Sequence, residues 1–324
     1  MSKFTGDLLQ VGIALEAVRG TAVAPQYGVK WSDISPVDKA IMAIDGSRSG
    51  ILEDSRDSHV VGTFLEGALG GPVRDRTIGL LFYSLLGADV PALVQTGVYD
   101  HVMNLAENNQ HPSLTVHKKD PNGDYDHTLC MVGSLEINST TDDLINFTAN
   151  VRGKARTSQS RTVSYVSENK FLPQHGVFKL ASSQAGLDAA SAINVRSIKA
   201  TFNSNVEDDR AIGSVAPVDI INKQFMCDFE VEIVVNDHAY ITDFLAGTAK
   251  AARIQFINTD VTIGASSNPS LKIDLYRAIL QEATPKYSRG DLTLMTLKFK
   301  GHYSEADSKM LTVTLRNPVA DYTA

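Results

Sequence analysis

Aromatic side chains are scarce in this chain, with one Trp, ten Tyr and twelve Phe among 324 residues. The exposed stacking platforms expected of a glycan-binding surface are therefore in short supply. Only two cysteines occur, Cys130 and Cys227, one in each half and each inside a strand-like run. That placement predicts buried free thiols and a reducing cytoplasm, not a disulfide framework. Basic charge is not in excess, since the formal net charge is −7. A cationic footprint for tight nucleic-acid binding is thus missing. No apolar run approaches the roughly 20 residues of a membrane helix. The opening residues Met1–Asp7 carry no apolar core of a secretory signal, so neither export nor membrane insertion is expected.

Catalytic signatures are equally sparse. Gly62, Gly67, Gly70 and Gly71 precede a helix-like segment, but no Gly-Lys-Ser/Thr or GxGxxG accompanies them. They read as glycines of an edge or bulged strand. The acids at alternate positions in Asp120-Pro-Asn-Gly-Asp-Tyr-Asp126 resemble a calcium loop, yet the Gly falls too early and no bidentate Glu follows. Pro-Asn-Gly between two strands predicts a hairpin turn instead. His111, His117 and His127 lie close in sequence without zinc spacing, and are expected to be polar surface residues. No nucleophile elbow or carboxylate pair stands out. The expectation is a protein that is not an enzyme and holds no cofactor or metal.

What is present is repetition. Hydrophobic content of 43% and charged content of 21% suit a soluble globular protein long enough for two domains. In the first half, Ile78, Leu81, Phe82 and Leu85 form an apolar stripe between a capping Asp75 and a terminating Gly87. A strand at 113–119, a turn, and strands at 127–139 and 144–153 follow. In the last, Ile145, Phe147, Ala149 and Val151 alternate with polar residues, so one face packs and one meets water. The second half repeats the order: a strand at 224–235, a helix capped by Asp237, with Ile241, Phe244 and Leu245 on its stripe and Gly247 at its end, then strands at 253–258, 271–276 and 292–301. Aligning the helices pairs Ile78 with Ile241, 163 residues apart; aligning the hairpin ends pairs Gly153 with Gly301, 148 apart. A period of roughly 150 residues is that of a domain, not of a solenoid repeat.

The expected fold class is mainly β, with one flanking helix per domain and two tandem sandwich or half-barrel domains. Residues 1–155 form the first, 156–175 a Ser-, Thr-, Arg- and Lys-rich linker, and 176–324 the second. Charge is uneven between them. Residues 1–155 hold 12 Lys/Arg against 19 Asp/Glu, whereas residues 156–324 hold 18 of each. Within the second half, Phe225, Cys227, Phe229, Val231 and Ile233 should face a core while Asp228, Glu230 and Glu232 face the other way. Three like charges on one strand face cost stability, which makes a surface that repels another polyanion a functional candidate beside a plain solvated face. Residues 44–60 are turn-formers and charges, a long exposed loop with Ile51, Leu52, Glu53 and Asp54 at its middle. Residues 204–222 form a second long polar loop.

Gly12-Ile-Ala-Leu-Glu16-Ala-Val-Arg-Gly20-Thr21, Trp31, Ile78-Gly-Leu-Leu and Leu85-Leu-Gly87, with Asn203-Ser-Asn-Val-Glu-Asp-Asp in the second half, resemble the tail tube (major tail) proteins of long-tailed, siphovirus-type bacteriophages. The resemblance implies a virion structural protein, assembled in the host cytoplasm. Its subunits would form stacked rings around an inner β-barrel through which DNA passes without tight binding. Two domains per chain then imply a trimer with pseudo-sixfold symmetry. Tail terminator, tape measure and distal tail proteins are the implied partners. Asp228, Glu230 and Glu232 become candidates to face the lumen, and Ile51, Leu52, Glu53 and Asp54 candidates for a ring-stacking loop. A related ring protein (terminator or connector) and a virion β-sandwich binding module remain as alternatives.

Overall fold

A computed structural model of the chain describes residues 3–50, 52–235, 238–287 and 289–323. It is mainly β, as its residue alternation requires, with two α-helices, α1 (Thr77–Leu86) and α2 (Ala239–Ala246). Eight strands follow one another in one antiparallel sheet: Val37–Asp45, Asp57–Pro72, Asn146–Gly153, Gly123–Thr140, Val195–Asn203, Met226–Val234, Leu294–His302 and Ser270–Lys286. The first four come from the first half of the sequence and the last four from the second.

The two sets match rung for rung. Asn146 faces Asn138 and Leu294 faces Lys286, an offset of 148 on both strands. Each hairpin breaks register at the same place, between Asn150 and Val151 in one and between Leu280 and Glu282 opposite Lys298 and Phe299 in the other. Glu66 faces Arg152 and Asp228 faces Lys300, which puts the preceding strands 162 apart. Thr77 and Ala239, the first residues of the two helices, keep that spacing. The structural register thus pairs Ile78 with Tyr240, one residue from the pairing suggested by the apolar stripes.

Beneath this sheet lies a second layer built twice. Gln10–Leu15 pairs with Leu114–Asp120, which pairs with the first part of Gly123–Thr140. Gly176–Ala181 pairs with Ala249–Ile257, which pairs with the first part of Ser270–Lys286. The long strands Gly123–Thr140 and Ser270–Lys286 therefore belong to both layers. Leu65, Leu69, Ile137, Phe147 and Val151 of one half and Phe229, Val231, Ile254, Ile273 and Leu297 of the other are buried in one continuous apolar core. The halves also interlock. The hairpin Gly87–Gln95/Val98–Leu105, which has no counterpart after α2, pairs with Leu311–Asn317 near the other end of the chain. No helix among the described residues is long and apolar enough to cross a membrane.

Several local expectations change. Asp75 does not cap α1: its carboxylate accepts the Asn169 N–H and side-chain amide at 2.9 and 2.7 Å. Glu168 takes the capping role by accepting the Thr77 N–H at 2.8 Å. The linker candidate 156–175 is mostly irregular chain, but it is strapped to the first half. Gly28 donates to Ser164 O, Lys30 to Val166 O, and Phe171 is buried. Both glycine terminators hold, since Gly87 and Gly247 cap their helices at φ 87° and 61°. Asp237, expected to cap α2, lies outside the described residues.

Candidate assembly surfaces

The eight-stranded sheet has one apolar and one polar face because its strands alternate. Phe225, Cys227, Phe229, Val231 and Ile233 are buried, while Asp228, Glu230 and Glu232 project from the opposite face. The acids do not stand alone there. Asp228 faces Lys300 across the ladder, Glu230 lies between Lys298 and Lys199, and Lys286 Nζ reaches Glu232 Oε1 at 3.0 Å. Glu282 pairs with Lys298 at 2.8 Å, and that lysine holds the Glu282 carboxyl below the usual range. The Asp228 carboxyl moves the other way, raised by partial burial despite the nearby Lys300. The three acids thus stand in a cross-strand ladder of alternating sign, which is also why they are tolerated on one strand. The first half presents fewer charges here: Asn138, Asn146, Thr148 and Asn150 sit around Glu136 and Arg152.

The segment 44–60 is less of a loop than its composition suggests. Val37–Asp45 and Asp57–Pro72 form a hairpin arm, and only residues 46–56 connect them. Every residue of Val37–Asp45 is exposed, including Val37, Ile41, Met42 and Ile44. In the connection Leu52 is 102% exposed, Glu53 and Asp54 are exposed, and Arg48 donates to Glu53 O at 2.7 Å. Ile51 lies outside the described residues.

The second polar loop is also a short hairpin, Glu207–Asp209 with Asp219–Ile221. Glu207 faces Ile221 and Asp209 faces Asp219, as Ala43 faces His59 and Asp45 faces Asp57, so the two hairpins are counterparts at offsets of 164 and 162. Their settings differ. The second arm folds onto the first half, where Val206 and Ile220 pack on Leu129 and Met131. Arg152 grips Asp208 with two bonds of 2.6 and 2.7 Å, and Arg19 grips Asp219 at 2.6 Å and Ile220 O at 2.7 Å.

This docking accompanies a joint between the halves. Val195–Asn203 adds to the free edge of Gly123–Thr140, with Asn203 opposite Ser134, Thr201 opposite Glu136 and Lys199 opposite Asn138. Lys199 Nζ reaches Glu136 at 2.9 Å. Phe202 meets Phe82 of α1 edge-on, their centroids 5.5 Å apart. Val206 covers the bulge at Gly133, where a Cβ would come within 2.8 Å of its methyl group.

Composition and spacing do not reveal the clasp residues Arg19, Arg152 and Asp208, because their partners lie 56 or more residues away. The conspicuous Glu16 is a buried hub. Its carboxylate accepts from Gly20 N, Ser113 Oγ, Thr115 Oγ1 and Leu129 N, and so fixes Leu129 at φ 54°. The three histidines are buried, not on the surface. His111 bonds Leu85 O and Ala106 O, and His117 pairs with Asp126 at 2.7 Å. Burial pushes His127 down to about 4. Asp120 accepts from Asn122 N and Gly123 N, which makes its segment the expected hairpin turn. Cys130 and Cys227 are free and buried, with both thiols pushed up by burial.

A mainly β chain, built twice over, with one joint closed inside it, has the form of a structural protein. The chain belongs to the phage tail tube protein family, which matches residues 6–309. A comparison with curated proteins finds no match. Membership makes it a structural component of a phage tail, in a family that is not an enzyme family.

Proposed function

We propose that this chain is the tail tube subunit, and that it polymerises into stacked rings forming the conduit for DNA ejection in a long-tailed phage. Residues 1–155 and 176–324 act as two tail-tube-like domains, so three chains supply six positions of a ring. The polar sheet face, with Asp228, Glu230 and Glu232, lines the lumen. Its alternating charges give passing DNA no run of cations to bind, so the duplex slides instead of sticking. The exposed connection at 46–56 clasps the next ring, where burial of Leu52 would contribute about 1.5–3 kcal/mol per copy. Terminator, tape measure and distal tail proteins meet the ends of such a tube.

The observation that carries this reading is the internal joint: one half already extends the sheet of the other, as ring neighbours would. Negative-stain microscopy of the purified protein should show tubes whose cross-section has six similar positions. The protein lacking residues 47–56 should stay folded and soluble yet form no tubes. Tubes of normal length from that variant would remove the loop from stacking, and particles without ring symmetry would remove the tube reading.

A further inference from the structure

The residues that follow Leu311–Asn317 run back over α1, and their hold converges on one buried histidine. His101 lies on Val98–Leu105 between Pro91 and Leu315 of the neighbouring strands, in the hairpin 87–105. Its Nδ1 stands 2.7 Å from Asp89 Oδ2, and its Nε2 stands 2.9 Å from Val319 O. An ionised carboxylate and a carbonyl only accept hydrogen bonds, so both ring nitrogens must carry a hydrogen and the ring is an imidazolium. The His101 side chain is wholly buried and that of Asp89 is 3% exposed, which shuts the cation away from water together with its counterion. Asp89 Oδ1 has no hydrogen-bond partner among the described residues, so His101 is what holds this carboxylate. Past Val319 the chain anchors itself on α1. Asn317 Nδ2 donates to Asp75 O and to the Tyr322 hydroxyl, which donates in turn to Arg76 O, and Tyr322 fills the space left by Gly79. The family match stops at residue 309, short of this segment.

We propose that residues 318–323 form a pH-sensitive strap over α1, latched while His101 carries both ring hydrogens and slackened when it loses one. A neutral ring keeps a single hydrogen and turns a lone pair toward one of its two acceptors. The bond to the charged Asp89 is the stronger, so the bond to Val319 O is the one given up. The Tyr322 ring, whose centroid lies 4.6 Å from that of His101, loses the cation beside it at the same time. Burial alone would lower His101, but Asp89, the Val319 carbonyl and Asp321 outweigh it and leave the histidine raised. The other ionisable groups around the latch titrate elsewhere. Burial raises Tyr83 of α1, Tyr27 and Tyr322 above the ordinary tyrosine range, and the Thr323 hydroxyl holds Asp321 below the carboxylate range. Asp75, behind Tyr322, is raised by burial; Arg76 stays charged, and Arg316 and Asp100 on the next rung bind each other. A raised histidine contributes stability that is fully present below its unfolded value, near 6.5, and lost as pH rises through the folded value. The strap is therefore tight in mild acid and loose in mild alkali. The latch operates in the free subunit and does not depend on the tube reading.

Hydrogen exchange of the full chain, read by mass spectrometry, tests the latch, with rates expressed as protection factors so that the intrinsic pH dependence of exchange drops out. Protection of residues 318–323 should fall about tenfold from pH 6 to pH 9, while that of strand Met226–Val234 stays level. In His101→Gln, whose side chain cannot change charge, protection of the strap should be the same across this range. A level profile in the parent, a fall that persists in His101→Gln, or a parallel fall in Met226–Val234 overturns the proposal. Nitrogen-15 spectra of the histidine-labelled parent protein give a second reading that needs no variant. One ring with both N–H signals at pH 6 should lose a proton at the midpoint of the exchange profile. The absence of such a ring, or a midpoint unrelated to strap protection, equally overturns the latch.

Discussion

The helices α1 and α2 occupy the same place in two similar halves, yet nine of ten residues in α1 are buried and none of eight in α2. The difference lies in what surrounds them. Over α1 close the hairpin 87–105, Phe202 of the following half, and Tyr322, whose hydroxyl donates to Arg76 O at 2.8 Å. Over α2 no comparable cover lies among the described residues, and Leu245 is 79% exposed. One element, placed twice, thus shows what a completed setting adds to an uncompleted one.

The sharpest way to break this comparison is to truncate the matched rings. Phe82→Ala should destabilise the free subunit by about 3–5 kcal/mol, whereas Phe244→Ala, at the equivalent site, should cost under about 0.5 kcal/mol. Urea unfolding of the two variants measures both, and equal losses would mean that α2 is covered in solution.

Next comes the clasp that folds the second arm and is missing from the first. Arg152→Ala should cost about 1.5–3 kcal/mol, the range for hydrogen bonds to charged groups. It should also expose residues 210–218 to protease. Burial alone would raise the Asp208 carboxyl, but Arg152 and Arg210 outweigh it and leave it lowered. A lowered carboxyl stabilises above its unfolded value, near 3.9, and that contribution is lost as pH falls through the folded value. Arm release in the parent protein should therefore begin only below about pH 4, and proteolysis across pH 3–7 tests this.

Third is Gly79, the position equivalent to Ile241. A Cβ there would collide with the Tyr322 hydroxyl, so Gly79→Ala should cost about 1–3 kcal/mol by overpacking. Ile241→Ala should cost less, since only the first site is sealed by the C-terminal segment. Thermal melts of the pair give the order.

The smallest effect on folding is expected on the polar face. Replacing Asp228, Glu230 and Glu232 by Lys removes the ion pair of Glu232 with Lys286, worth about 0.2–1 kcal/mol, and sets like charges opposite Lys300 and Lys298. Retention on DNA–cellulose at low salt should nevertheless rise sharply, because the face becomes cationic. Unchanged retention would remove these residues from any role in keeping DNA free.

These contrasts also mark what the sequence made legible. Period-two alternation placed Phe229 and Val231 inward and Glu230 outward, and the glycines at 87 and 247 marked the helix ends, because both signals are local. Hairpin ends at Gly153 and Gly301 carried the true offset. The cap of α1 escaped because its acceptor is Glu168, 91 residues from Thr77. The histidines misled because burial depended on distant partners: His111 bonds Leu85 O from 26 residues away. The two polar loops hid their hairpins, since an exposed ladder such as Val37–Asp45 shows no inward-facing apolar side. Local rules fixed the faces of strands, and tertiary partners decided which polar groups went inside.

The two long strands shared between layers have a mechanical meaning. Gly123–Thr140 and Ser270–Lys286 each pass from one layer of the continuous sheet into the other within a single strand. A pull that tries to peel the layers of either half apart is resisted by the covalent backbone of these strands as well as by packing between side chains. Hydrogen-bonded ladders slip one rung at a time, whereas a continuous peptide chain transmits tension along its whole length. Each half is thus laced together by a single cord, and stress applied at one layer arrives at the other undivided.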